Sequence, residues 1–264
     1  MIFLKKFKPK KIKKCDIKES RDRFNNKQNK NIRFLLEERF FWMKKFIRGK
    51  KNIVELGSGN GASVDILKNK KIILTDIQKY PWISKKIDMN NLKLEKKYIK
   101  KVDVFILNQA LHHCANPAKL LTKMSFYLKK DGMILIREPE ISFFLQLLLF
   151  LLDDESWSFK VDIFNKKKNI FNPKSPWDAN NATPFLLFND ERKFNINFPQ
   201  YRIIKNELSE FLIFVNSGGV VQKKFCIPTN KLAFSILNFI DKIIIYLLPR
   251  IFALGRTVAL KKVK

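Results

Sequence analysis

The sequence predicts an α/β fold built on a doubly wound, mainly parallel sheet. Three observations carry that reading. From residue 31 onward, short apolar runs alternate with amphipathic stretches, the rhythm of strand–helix–strand units. One run leads directly into "VELGSGNG", Val54 to Gly61, which places three of the chain's eight glycines at alternate positions. "ILTD" then puts an acid, Asp76, at the end of the next run, about 20 residues past the first of those glycines.

The elements follow in order. Residues 1–30 are polar, basic and without apolar period, and read as an N-terminal extension. "NIRFLLEERFFWMKKFI" (31–47) spaces Phe34, Leu35, Phe40, Phe41 and Phe46 among charges, as an amphipathic helix does. "NIVEL" is the first strand and "GASVDILKNK" a helix that starts on the glycines. "KIILTD" is the second strand, "KKIDM" a short third and "VDVFILN" the fourth. "NPAKLLTKMSFYLKK" is a helix closed by Asp131-Gly132, and "MILIREP" the fifth strand. After Pro139 the rhythm breaks. An insertion over 141–199 holds "ISFFLQLLLFLL" and the Trp- and Asn-rich "SPWDANNATPFLLF", placed where a substrate lid would sit. "YRIIKNEL" resumes the sheet, a long apolar helix covers 232–248, and "RTVALKKV" is the last strand. The division is therefore 1–30 extension, 31–140 core, and 141–264 insertion or lid plus the closing strands of the same domain.

The glycines decide what the core is for. Glycine at a strand-to-helix turn permits positive φ and lets a ligand press on bare backbone, and the helix behind offers unpaired N–H groups. An acid about 20 residues on accepts ribose hydroxyls. Together they describe a ribonucleoside cofactor site. The order "VELGSGNG", "LTDI", "KIDM" and "DVFILNQALHHCANPAKLL…LKKDGMILIREP" resembles the class I S-adenosylmethionine-dependent methyltransferases over about residues 31 to 140, and most of all their small-molecule branch with a Leu-His-His fourth motif.

The resemblance implies a Rossmann-like seven-stranded sheet, mostly parallel with an antiparallel last strand, and S-adenosylmethionine as cofactor. It also implies roles. Gly57, Ser58, Gly59 and Gly61 would carry the methionine part of the cofactor, with Glu55 holding its ammonium group. Asp76 would take the ribose hydroxyls, Ile77 would pack on the adenine, Asp88 and Met89 would meet its amino group and ring, and Asn108 would sit beside the sulfonium. Its two histidines, His112 and His113, would face the donor methyl, as a base or as substrate-orienting groups; a pair that packs the loop is the alternative. "KYPW" (79–82) offers aromatic surface near the adenosine, with a packing role for Trp82 as the alternative. Arg137 and Glu138 reach the crevice edge, where they pair with each other or meet the acceptor.

Composition narrows the acceptor. The formal charge of +29 comes from 53 basic residues, of which only 10 are Arg. Arg is the bidentate reader of phosphate and guanine, so the charge alone does not call for a nucleic-acid partner. Cys15, Cys114 and Cys226 form no CxxC pair, which argues against a disulfide framework or structural zinc. No metal is expected at His112, His113 and Cys114 either, since adjacent side chains point apart. The first residues lack an apolar signal core, and the stretch 232–254 carries Asp241, Lys242, Pro249 and Arg250, so no span is predicted. A cytoplasmic location, with peripheral membrane contact as an addition, is expected. "NQAL" after the fourth strand, in place of Asn-Pro-Pro-Tyr or Pro-Cys, argues against amino methylation of adenine or glutamine and against pyrimidine carbon methylation. The expectation is a methyltransferase for a small-molecule, lipid or glycan acceptor. The alternatives are an RNA or protein methyltransferase that uses the basic arm, and a cofactor-binding regulator without turnover. Oligomeric state is open.

Overall fold

The computed structural model describes residues 3–12, 16–26, 30–220 and 224–264; Cys15 lies outside them. Seven strands form one sheet: β1 (Ile53–Leu56), β2 (Ile72–Asp76), β3 (Lys85–Lys86), β4 (Val102–Asn108), β5 (Leu128–Pro139), β6 (Tyr201–Ser209) and β7 (Gly255–Lys262). Their order is β3-β2-β1-β4-β5-β7-β6. β1 to β5 pair in parallel, while β7 runs antiparallel to both β5 and β6. The chain reverses its direction of strand addition between β1 and β4. The carboxyl ends of strands at such a point open a crevice.

Parallel strands covered on both faces read as unbroken apolar runs, and Ile53–Leu56 and Val102–Leu107 are buried throughout. Alternate side chains serve two cores. Val54, Leu56, Phe105, Leu107, Ile134 and Ile136 pack with Leu121 and Met124 of the helix Pro117–Tyr127. Ile53, Val104, Ile106 and Leu135 pack on the other face with Ile32, Leu36 and Phe40. These last three lie on α2 (Lys30–Phe41) at helical spacing. The predicted single helix over 31–47 is interrupted, and Lys44–Ile47 forms a separate turn; Phe41, counted with the apolar stripe, is exposed. The helix before β5 stops at Tyr127, short of Asp131-Gly132, because Leu128 already pairs with Val102 of β4.

Part of the N-terminal extension is ordered into the core side of the fold. Asp16 caps α1 (Ile17–Asn25) by accepting from Lys18 and Glu19 N–H at 2.9 and 3.0 Å. Phe24 is buried in the second core, while Ser20, Arg21 and Arg23 hydrogen-bond to loops. Only one apolar side chain of α1 enters the core, which is why no period shows in the sequence. Lys6–Phe7 pairs antiparallel with Trp157–Ser158.

The insertion contributes α3 (Phe143–Leu151), α4 (Thr183–Phe188) and α5 (Glu191–Asn197). The long helix α6 spans Lys231–Leu247 and is fixed by Asp241, whose buried carboxylate accepts the N–H groups of Phe211, Leu212 and Ile213. Arg137 does not pair with the Glu138 carboxylate. Its guanidinium meets Glu210 at 2.5 Å, and Arg39 meets the same carboxylate at 2.8 Å, all three side chains being buried. Gly255 makes the room, since a Cβ there would stand 1.8 Å from Arg137 Nη2. No helix among the described residues is long and apolar enough to cross a membrane.

Candidate active site

The turn after β1 is shaped by three glycines at positive φ: Gly57 (66°), Gly59 (50°) and Gly61 (68°). At Gly57 a Cβ would lie 2.7 Å from Ala110 Cβ, so close packing excludes a side chain. Around Gly59 the same atom would meet nothing within 4 Å, leaving bare backbone on open space. Ser58 ties the turn to the end of β2: its N–H donates to Thr75 O at 2.9 Å and its Oγ accepts from Thr75 N at 3.0 Å. Asp76 completes the loop, Oδ2 accepting from Gly59 N at 2.9 Å and Oδ1 from Gln78 N at 3.0 Å. Carboxylate oxygens hold further lone pairs, which remain for a ligand.

One cavity of about 510 Å³ is lined by Gly57, Ser58, Gly59, Asp76, Ile77, Asp88, Met89, Asn108, His112 and His113. Such a volume suits a nucleoside-sized ligand. Asp88 Oδ1 caps the short turn at Met89–Asn91 by accepting from Asn90 N at 2.8 Å, and Met89 leans on Gly57. Asn108 Oδ1 is buried without a hydrogen-bond partner, a costly state for an amide oxygen unless a ligand serves it. Two expected residues stand outside the wall. Gly61 faces Trp82 and Leu74, and Trp82 donates its Nε1–H to Gly59 O at 2.8 Å, packing behind the turn. Glu55 is buried and accepts from Ser63 Oγ.

Burial raises the Glu55 carboxyl to about 8; the Ser63 hydrogen bond opposes this and the Asp76 charge adds to it. The neutral form is favoured in the fold, so the stability it supports is complete below the ordinary carboxylate range and lost as pH rises through about 8. Glu55→Gln keeps the neutral shape. In the cofactor-free protein it is expected to melt with the parent at pH 5 and above it at pH 8, by about 2–4 °C per kcal/mol relieved. Coincident melting curves at both pH values would assign the buried proton elsewhere.

Beyond Asn108, the turn Leu111–His113 carries both histidines. Glu138, at the end of β5, lies beneath it and accepts from the N–H groups of Ala110 (2.8 Å), Leu111 (2.7 Å) and His112 (3.2 Å), and from His112 Nδ1 at 2.5 Å. His113 Nδ1 donates to Asp178 O at 3.0 Å. Both Nε2 atoms approach one carboxylate, Glu155: His112 at 3.5 Å and His113 at 3.6 Å. The expectation that adjacent histidines cannot converge is therefore corrected; the tight turn brings the rings to 4.2 Å. Cys114 turns away, buried against Asn90. Burial works to lower the His112 pKa, but Glu138 and Glu155 overcome it and raise it to about 10. Burial and the charge on His112 lower that of His113. Burial opposes ionisation of Glu155, yet both histidines hold its carboxyl well below the usual range.

A methyltransferase domain model matches residues 20–181, more than half of the chain. The chain belongs to that methyltransferase family. Its methyl donor is S-adenosylmethionine. A crystal structure of a SAM-dependent methyltransferase from Archaeoglobus fulgidus shares the fold, with a TM-score of 0.52 and 16% identity over 87% of this chain and 94% of that one. Weaker likenesses are to the YcgJ protein of Bacillus subtilis (TM-score 0.44, 13% identity, 86% and 99% covered) and to the plantazolicin methyltransferase BpumL in complex with SAH and a triazolic desmethylPZN analog (TM-score 0.44, 15% identity, 94% and 91% covered). No curated protein matches the chain in sequence.

For a methyltransferase, the bare backbone at Gly59, the spare lone pairs of Asp76 and the unpartnered Asn108 oxygen fit a sulfonium nucleoside. Sequence reading missed Glu155, Asn181 and Asp178, and offered Glu138 either Arg137 or the acceptor as its partner, where the structure gives it the turn Ala110–His112. Only the length of the insertion pointed toward them.

Proposed function

We propose that this methyltransferase acts on an apolar acceptor drawn from a membrane surface. The observation that carries the reading is the continuity of one cavity from the glycine turn, past Asn108 and the histidines, to an apolar wall of Leu145, Leu148, Leu149 and Leu152. Leu152 and Val215 line this cavity and are also 45% exposed, so its rim is apolar. The outward face of α6 is apolar as well: Leu232, Phe239 and Tyr246, one helical face apart by seven residues, are 71, 63 and 86% exposed. A helix with such a face lies in an interface, aided by basic side chains drawn to anionic lipid.

In this reading Gly57, Ser58 and Gly59 seat the methionine part of the donor, Asp76 holds the ribose hydroxyls, and Ile77, Asp88 and Met89 flank the adenine. Asn108 lies beside the sulfonium. Glu55 and Gly61 keep the turn's shape from behind. The acceptor's nucleophilic atom bonds to the methyl carbon as the carbon–sulfur bond breaks; sulfur keeps the electron pair, leaving S-adenosylhomocysteine, and the acceptor loses a proton. Alignment in a dry site supplies up to about 7–11 kcal/mol of such a barrier. His112 and His113 line the acceptor side and orient that atom. The nucleic-acid alternative has less support, because Arg21 bonds to Asp65 and Asn60 and Arg23 to the carbonyls of Gly219 and Val220.

Pure protein given radiolabelled donor and a cell extract is expected to label the lipid fraction. Phe239→Glu with Ile243→Glu should cut that labelling several-fold while donor affinity stays unchanged. Label confined to RNA or protein would overturn the acceptor class, and donor binding with no label anywhere would overturn turnover itself.

A further inference from the structure

We propose that His112, His113 and Glu155 bind a divalent transition-metal ion of the zinc type. The ion itself rests on geometry alone; its role as activator of the acceptor rests on the reading above. One ligand atom from each residue lies within 4.8 Å of the other two. Bonds of about 2.0–2.1 Å at a tetrahedral centre set neighbouring donors roughly 3.4 Å apart; His112 Nε2 stands 3.5 Å from Glu155 Oε2, and His113 Nε2 stands 3.6 Å from Oε1, the other oxygen of that carboxylate. Two imidazoles and a carboxylate are a donor set that zinc and non-haem iron use with a position left open.

The surrounding shell is already built for this. A metal-bound histidine donates its other ring N–H to a carboxylate or a backbone carbonyl, which fixes the tautomer and frees the remaining nitrogen. His112 Nδ1 faces Glu138 at 2.5 Å and His113 Nδ1 faces Asp178 O at 3.0 Å, one of each kind. Asn181 Nδ2 donates to Glu155 Oε2 at 3.0 Å and steadies the third ligand. All three ligands stand on the wall of the donor cavity, so the open position faces the acceptor. There a cation stabilises the acceptor oxygen or nitrogen after its proton has left to solvent.

The test is metal binding by the full chain without donor, using Zn²⁺ in calorimetry and Co²⁺ for its visible absorption. One ion per chain is expected, and Co²⁺ should show the strong bands of a low-coordinate site. Glu155→Gln and His113→Gln should each weaken binding at least 100-fold, and Glu138→Gln by about 10–100-fold. Donor affinity, measured on the same variants, should stay within a factor of about three, which shows that the fold and the donor site survive. Absence of binding to the parent protein at millimolar metal would overturn the proposal, as would binding that Glu155→Gln and His113→Gln leave intact. Failure of donor binding in the parent would count against the methyltransferase reading instead, and would leave the metal result standing by itself.

Discussion

Asp76→Ala is expected to weaken S-adenosylmethionine binding by about 10–100-fold. Its carboxylate already accepts from the Gly59 and Gln78 N–H groups, so it is oriented before any ligand arrives. Charge-assisted hydrogen bonds to ribose hydroxyls are worth roughly 1.5–3 kcal/mol, and the alanine loses them together with the tie on Gly59. Asp76→Asn separates the two effects. Its amide oxygen still accepts from one backbone N–H while the charge is gone, so an intermediate loss is expected. Calorimetry that finds the alanine variant binding as tightly as the parent would remove Asp76 from the donor site.

The largest effect on stability is expected at Glu210. Its carboxylate sits between Arg39 and Arg137, and the three side chains are buried. Burial alone would push its pKa up; the two guanidinium groups reverse that and hold it near 2. The stability tied to this charge is therefore complete above the ordinary carboxylate range and lost as pH falls through about 2. Glu210→Gln leaves two buried cations without a counter-charge. Breaking a buried pair in this way costs about 3–5 kcal/mol, or roughly 2–4 °C of melting temperature per kcal/mol in a chain of this size. Thermal melting should show that loss at pH 7, with Glu207→Gln, at an exposed position nearby, within a degree or so of the parent. A Glu210→Gln protein that melts with the parent would mean that the arginines find water instead.

Most of the sheet was legible in the sequence. "VDVFILN" is β4 residue for residue, and the other strands fall within about three residues of their predicted bounds, except β5, which starts at Leu128 rather than Met133 and takes in the end of the predicted helix. Buried parallel strands announce themselves as apolar runs. The insertion was less legible: α3 was visible as an apolar run, whereas Trp157–Ser158 pairs with the N-terminal Lys6–Phe7 from 150 residues away. Helix α1 was missed because its packing uses one phenylalanine and a set of polar anchors.

By itself the sequence determined the sheet's rhythm, the glycine turn and the acid that closes it. These depend on backbone conformation and on spacings of about 20 residues or fewer, which a chain carries locally. The tertiary structure alone decided which charges meet: Glu138 beneath the histidine turn, Glu155 across from both rings, and Glu210 between two arginines drawn from α2 and β5. Such pairings are set by which faces of distant elements come together when apolar surface is buried, and residue spacing holds no trace of that.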